Sequence, residues 1–109
     1  MSNATLTGQV RRKLNVTWED AETTARIDEI IASAIPDLKY RLGIVEPDFD
    51  FSVAGPENTL FLAYCFYEWN HALDDFDLNY SRMILQVRLK HEVAQYMAES
   101  EGEADAEEA

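Results

Sequence analysis

The chain has 109 residues, 47% of them apolar, and a formal net charge of −12. That length fits one domain with one modest core, burying somewhat more than ~60% of the surface of its unfolded chain. The charge argues against tight sequestration of nucleic acid, which needs a cationic stripe, and no stretch approaches the ~18 apolar residues of a membrane span.

Apolar residues recur at helical spacing nearly everywhere, so the pattern predicts an all-α domain of four to five helices in a small bundle. The first helix is predicted over about Leu6 to Leu14, with Leu6, Val10 and Leu14 stepping by four along one edge and Arg11 and Lys13 opposite. Arg11-Arg12-Lys13 is the only compact basic run. It suits the wet side of a helix, or a dock for an acidic partner or RNA. The second helix opens on Thr17-Trp18-Glu19-Asp20, which reads as a capping box with Thr17 as N-cap and Asp20 reaching back. Ile27, Ile30, Ile31, Ala34, Ile35, Leu38 and Leu42 then form a wide apolar stripe. Pro36 inside it predicts a kink, or a break with a restart. Gly43 is the expected C-terminal stop.

Residues 44–56 form a long connection. Phe49, Phe51 and Val53 alternate with polar or small residues there, which suits a short extended segment or a hairpin arm laid on a neighbour. The third helix is predicted to start at Pro56, a good first helical residue with Glu57 beside it, and to run to about Leu73. Its first apolar run, LFLAYCFYEW, holds five aromatics and no base. A helix that is greasy all round is usually covered on several faces. Asp74, Asp75 and Asp77 form an acidic junction, and the fourth helix follows from about Leu78 to Met97. It carries one stripe of Tyr80, Met83, Ile84, Val87, His91 and Ala94 and a second beside it of Leu85, Leu89, Val93 and Tyr96. Residues 99–109 hold six acids and no large apolar side chain. They cannot repay their ordering entropy and are predicted to be disordered, leaving 1–98 as the helical domain.

Charge is unevenly placed along these elements. Residues 1–43 balance six bases against six acids, 44–80 carry eight acids and no Lys or Arg, and 81–98 carry Arg82, Arg88 and Lys90 against Glu92. The single cysteine, Cys65, can form no disulfide within the chain and has no base beside it. It reads as an inert core thiol in a reducing cytosol. The N-terminus lacks the apolar stretch of a signal peptide.

Tests for chemistry end without a site. Asp74, Asp75 and Asp77, like Glu46, Asp48 and Asp50, lack the glycine and spacing of a calcium loop, and helix capping or solvated loop charge explains them better. His71 and His91 lie on different helices with nothing in their spacing that demands a metal. Ser33, Ser52 and Ser81 have no sharp-turn setting, and no glycine-rich phosphate loop is present. The expectation is a protein without catalytic, cofactor or metal residues. What remains to be explained is apolar surface. Arg11, Arg12, Trp18, Phe49, Phe51, Phe61, Tyr64 and Tyr67 are the candidate interface residues, since large contiguous apolar patches mark interfaces.

The segment ENTLFLAYCFYEWNHALDDFDLNYSRMILQVRLKHEV resembles the C-terminal half of the small head–tail connector (adaptor, or head-completion) proteins of long-tailed bacteriophages. Those carry an aromatic or leucine-rich helix, a junction like ALxxFxxNY and a last helix like LLxLRLKYxV. Ala72-Leu73, Phe76, Asn79-Tyr80 and Leu89-Lys90-His91-Glu92-Val93 stand in those places. VRRKLNVTWEDAETTARIDEIIASAIPDLKYRLGI is similar to the first half, so the resemblance spans roughly 9–97. Pro36 and the acidic tail depart from it. It implies a structural subunit that forms a ring of about twelve copies beneath the portal protein, built from heterologous contacts. The ring would extend the channel for DNA, which passes without sequence-specific binding, and would receive the next head-completion or tail protein. The implied location is the host cytoplasm during assembly and then the virion head–tail junction. A non-viral acidic helical adaptor or DNA mimic is the competing class, and an enzyme or metal protein built on His71, His91 and the aspartates the third.

Overall fold

The computed structural model describes the backbone of residues 2–108 and the side chains of residues 5–100. Among them the protein is all-helical: α1 is Ser2–Lys13, α2 Ala21–Leu42, α3 Pro56–Trp69 and α4 Leu73–Glu108. α2 and α3 form a central pair. α1 packs on both and so does α4, and among the described residues α1 and α4 do not meet. Leu6, Val10 and Leu14 of α1 are buried as their spacing predicts, and so are Ile27, Ile30, Ile31, Ala34, Leu38 and Leu42 of α2.

Three helices end in the same way, with one residue in the left-handed region. After α1, Asn15 (φ 58°) lets Asn15 N–H donate to Arg12 O and Val16 N–H to Arg11 O. After α2, Gly43 (φ 65°) sends N–H to Tyr40 O, and Ile44 donates to Lys39 O. After α3, His71 (φ 57°) donates to Glu68 O and Ala72 to Tyr67 O. These are Schellman closures, each followed by an apolar residue, and they satisfy carbonyls that a helix end would otherwise leave unpaired.

The third closure corrects two expectations. α3 stops at Trp69 and not near Leu73, and α4 begins at Leu73, so the expected acidic junction is the first turn of α4. Asp74 and Asp75 lie where the helix dipole favours anions. Arg26 of α2 reinforces the stop: its Nη2 donates to Trp69 O at 2.6 Å and lies 3.3 Å from His71 Nε2, and its guanidinium covers the Trp69 ring at 4.3 Å.

The start of α2 is also corrected. Asp20, not Thr17, is the N-cap, and its carboxylate accepts from Thr23 N–H at 2.8 Å and from Thr23 Oγ1 at 3.0 Å. Trp18 Nε1 donates to the same hydroxyl at 3.1 Å, which holds the indole across the helix start. Pro36 does not break α2, which is one continuous helix. Losing a backbone bond there costs about 3 kcal/mol. Ala34, Leu38 and Leu42 on both sides of the proline are fully buried and offset that cost, while Pro36 itself faces solvent.

The 44–56 connection forms neither strand nor hairpin. Its phenylalanines turn inward. Phe51 stacks on Phe61 at 4.9 Å between centroids, and Phe49 meets Phe51 edge-on at 5.0 Å. Asn58 Nδ2 donates to Phe51 O (2.7 Å) and to Gln9 Oε1 (2.9 Å), and Gln9 Nε2 donates to Ser52 O (2.9 Å), so loop, α1 and α3 are pinned together. α4 continues past Met97, where it was expected to end, to Glu108. The backbone of the acidic tail that was expected to be disordered is thus helical from residue 99 to 108, and its side chains beyond residue 100 lie outside the described residues.

Gly43→Ala should lower stability to chemical denaturation by about 1–2 kcal/mol, because an added Cβ strains the left-handed conformation. Asn15→Gly, at a position that already tolerates that conformation, should change it by less than about 0.5 kcal/mol.

Candidate interaction surface

The aromatics of α3 mostly belong to their own protomer. Phe61 is fully buried, Tyr64 is 3% exposed and Phe51 only 2% exposed. These three expected interface residues are core, and none can reach a neighbour without opening the bundle. Tyr64 meets Phe76 edge-on at 5.4 Å, Phe76 stacks on Tyr80 at 5.3 Å, and Tyr67 touches both Phe76 and Tyr80 at 6.0 Å. Tyr67 is half-buried, and its hydroxyl accepts from Asn79 Nδ2 at 3.1 Å. Phe49 is half-buried against Phe51 and His91.

The remaining three candidates sit at the α1–α2 junction. Trp18 is exposed, Arg12 is exposed, and Arg11 is half-buried with its guanidinium donating to Trp18 O. Lys13 lies over the exposed Phe66 ring at 5.8 Å. The basic run thus rests partly on aromatic surface of the same chain.

Two polar clamps join the helices. In the first, Tyr64 Oη donates to Asp37 Oδ2 at 2.5 Å, Arg41 grips Asp37 through Nε at 3.2 Å and also pairs with Asp77, and the guanidinium covers the Tyr64 ring at 5.7 Å. This ties α2 to α3 and α4. Burial opposes ionisation of Asp37, but the hydrogen bonds from Tyr64 and Arg41 outweigh it and hold the carboxyl below its ordinary value. Burial first, and then the Asp37 carboxylate, push the Tyr64 phenol up. In the second clamp, Lys90 donates to Glu57 and His91 Nε2 lies 2.9 Å from the same oxygen. Glu57 is lowered too, with the partners Lys90 and His91 outweighing desolvation. Gln95 Nε2 adds a bond to Gly43 O at 2.7 Å, fastening α4 to the end of α2.

His71 and His91 go to different partners, Arg26 and Glu57, and do not form a site together. No cluster of three or more His, Cys, Asp or Glu side chains among the described residues is placed to hold a metal. Cys65 is fully buried, and burial pushes its thiol up to about 12, so it carries no thiolate at neutral pH. Among the described residues no helix is long and apolar enough to cross a membrane.

The largest share of the uncovered apolar surface among the described residues lies on α4. Phe76 and Val87 are buried, and Tyr80, Met83 and Ile84 pack on the core. Leu85, Leu89, Val93 and Tyr96 are 56%, 50%, 55% and 70% exposed, and Leu78 and Met97 are exposed as well. At about 100° per residue the two stripes lie nearly opposite each other, not side by side as expected. Tyr40 and Val45, also strongly exposed, flank the Gly43 turn that rests on Arg88 and Glu92. The sequence held this signal in the second stripe, but the aromatic density of α3 drew the surplus to the wrong helix. Compared with family models, with curated proteins and with solved structures, the chain matches none.

Phe51→Ala should cost about 3–5 kcal/mol of stability, as for a core phenylalanine, whereas Leu89→Ala in dilute protein should cost less than about 0.5 kcal/mol. Asp37 and Glu57 have lowered folded-state values, so their stabilisation is present above the ordinary carboxylate values of 3.8 and 4.5 and is lost as pH falls through the folded ones. The melting temperature should therefore drop as the medium is acidified below those values, and Asp37→Asn should show a shallower acid loss.

Proposed function

We propose that this protein is a structural, non-enzymatic subunit of a phage head–tail connector, assembling as a ring under the portal protein and receiving the next head-completion or tail protein. The observation that carries the reading is the outward face of α4, a row of exposed Leu85, Leu89, Val93 and Tyr96 on a helix whose inner face is already packed. A face of that kind calls for a protein partner. The sequence pattern over 9–97 and the small all-helical architecture support the same class.

The acidic surface fits a conduit. Glu46, Asp48, Asp74 and Asp75 are exposed, and such walls repel phosphate, so a duplex would slide through without being gripped. The same charge works against assembly in dilute solution, because like charges repel within a Debye length of about 10 Å at 0.1 M salt.

Two observations test the reading. The gene should lie between portal or capsid genes and tail genes, and the chain mixed with the portal oligomer encoded beside it should add a ring visible by electron microscopy. Failure to bind that portal would overturn the proposal. In low salt and at micromolar concentration the isolated chain should sediment as monomer or weak oligomer, and a tight ring under those conditions would reject the repulsion argument.

A further inference from the structure

The outer face of α4 is self-complementary when read against a reversed copy of itself. Along that face the order is Arg82, Leu85, Leu89, Val93, Tyr96, Glu99, and every one of these residues is exposed. Cations stand at the N-terminal end, with Arg88 on the flank, and anions at the C-terminal end, with Glu92 on the same flank. Reversing one copy about a point between Lys90 and His91 sets Leu85 against Tyr96 and Arg82 against Glu99, and brings Leu89 between Glu92 and Val93 of the second copy. The spacing of three and four residues keeps all six positions on one seam. A parallel copy would instead place Arg82 on Arg82 and Glu99 on Glu99.

From this juxtaposition we infer that the outer face of α4 is a homodimer interface, an antiparallel pairing of Leu85–Tyr96 with the same segment of a second copy about a two-fold axis. Such an interface is isologous, so each contact occurs twice. The inner face of α4 stays on its own core through Phe76 and Val87, so pairing requires no rearrangement of the protomer. Arg88 already pairs with Glu92 of its own chain at 3.3 Å. Both stand on the flank where the partner's copies of the same two groups would arrive, so four charges can form one alternating cluster. The net charge of −12 on each copy opposes association. The equilibrium is thus expected to be concentration-dependent and to strengthen as moderate salt screens the overall repulsion. A dimer closed by a two-fold cannot grow into a ring and covers the face that the connector reading offers to a partner, so the two compete for this surface and the dimer has to open before that face engages another protein.

The test is sedimentation equilibrium of the intact chain from about 5 to 200 µM at physiological salt, a range in which a weak dimer is resolved by mass action. Wild type should shift from monomer to dimer. Leu89→Glu should raise the dissociation constant at least ten-fold with unchanged helical circular dichroism, since residue 89 is exposed in the protomer. Arg82→Glu and Glu99→Arg alone should each weaken association, and an equimolar mixture of the two should restore it. Only an antiparallel seam puts residue 82 of one chain beside residue 99 of the other. A wild-type chain that stays monomeric to 200 µM, a dimer indifferent to Leu89→Glu, or a mixture that fails to restore pairing would each overturn the inference, as would binding of an unrelated basic helix to this face in place of the second copy.

Discussion

The inward turn of the 44–56 loop is the constraint on which the rest of the fold depends. Phe51 reaches under the loop to stack on Phe61, and Phe49 closes over it from the α4 side against His91. Without that plug Phe61 would lose the ring that stacks on it. Burying a phenylalanine contributes about 1.5–3 kcal/mol, a large share of the stability of a small domain. The backbone pays in polar groups, and Asn58 and Gln9 meet that demand by bonding to the carbonyls of Phe51 and Ser52. Gly55, with φ of 149°, then turns the chain into Pro56 in a conformation that side chains other than glycine rarely adopt.

The helical class, the buried stripes of the first two helices, the Gly43 stop and the Pro56 start were all legible in the amino-acid order. They rest on periodicity, on glycine and on proline, which act locally. The errors have a common physical origin. Asn15 and His71 end helices in the left-handed region without the glycine that announces such a turn, so the end of α3 was overrun. Asp20 outcompeted Thr17 as N-cap because its ionised carboxylate takes two bonds from Thr23. Pro36 looked disruptive because its cost is local, whereas the compensation comes from α3 and α4, which lie elsewhere in the sequence.

The candidate surface was legible only in part. Periodicity marks an apolar stripe but does not say which of two stripes faces the protein's own core. On α4 that choice is made by Phe76 and Val87, which dock beneath α2 and α3, and by the Glu57 and Gly43 carbonyl anchors that fix the helix's rotation through Lys90, His91 and Gln95. Trp18 illustrates the converse. It was a candidate interface residue and it is exposed, yet its indole N–H is already engaged in fastening the start of α2. An exposed aromatic can thus be a structural brace as well as a docking point.

The absence of contact between α1 and α4 carries a consequence for how a pull on one reaches the other. Among the described residues, Leu6, Val10 and Leu14, the Gln9 amide and Arg11 help to hold α1 to the central pair, the loop and the α2 entry. The seating of α4 on the central pair thus involves no contact with α1 among the described residues. A partner that grips the N-terminal helix therefore loads the central pair and the loop directly and reaches α4 only through them.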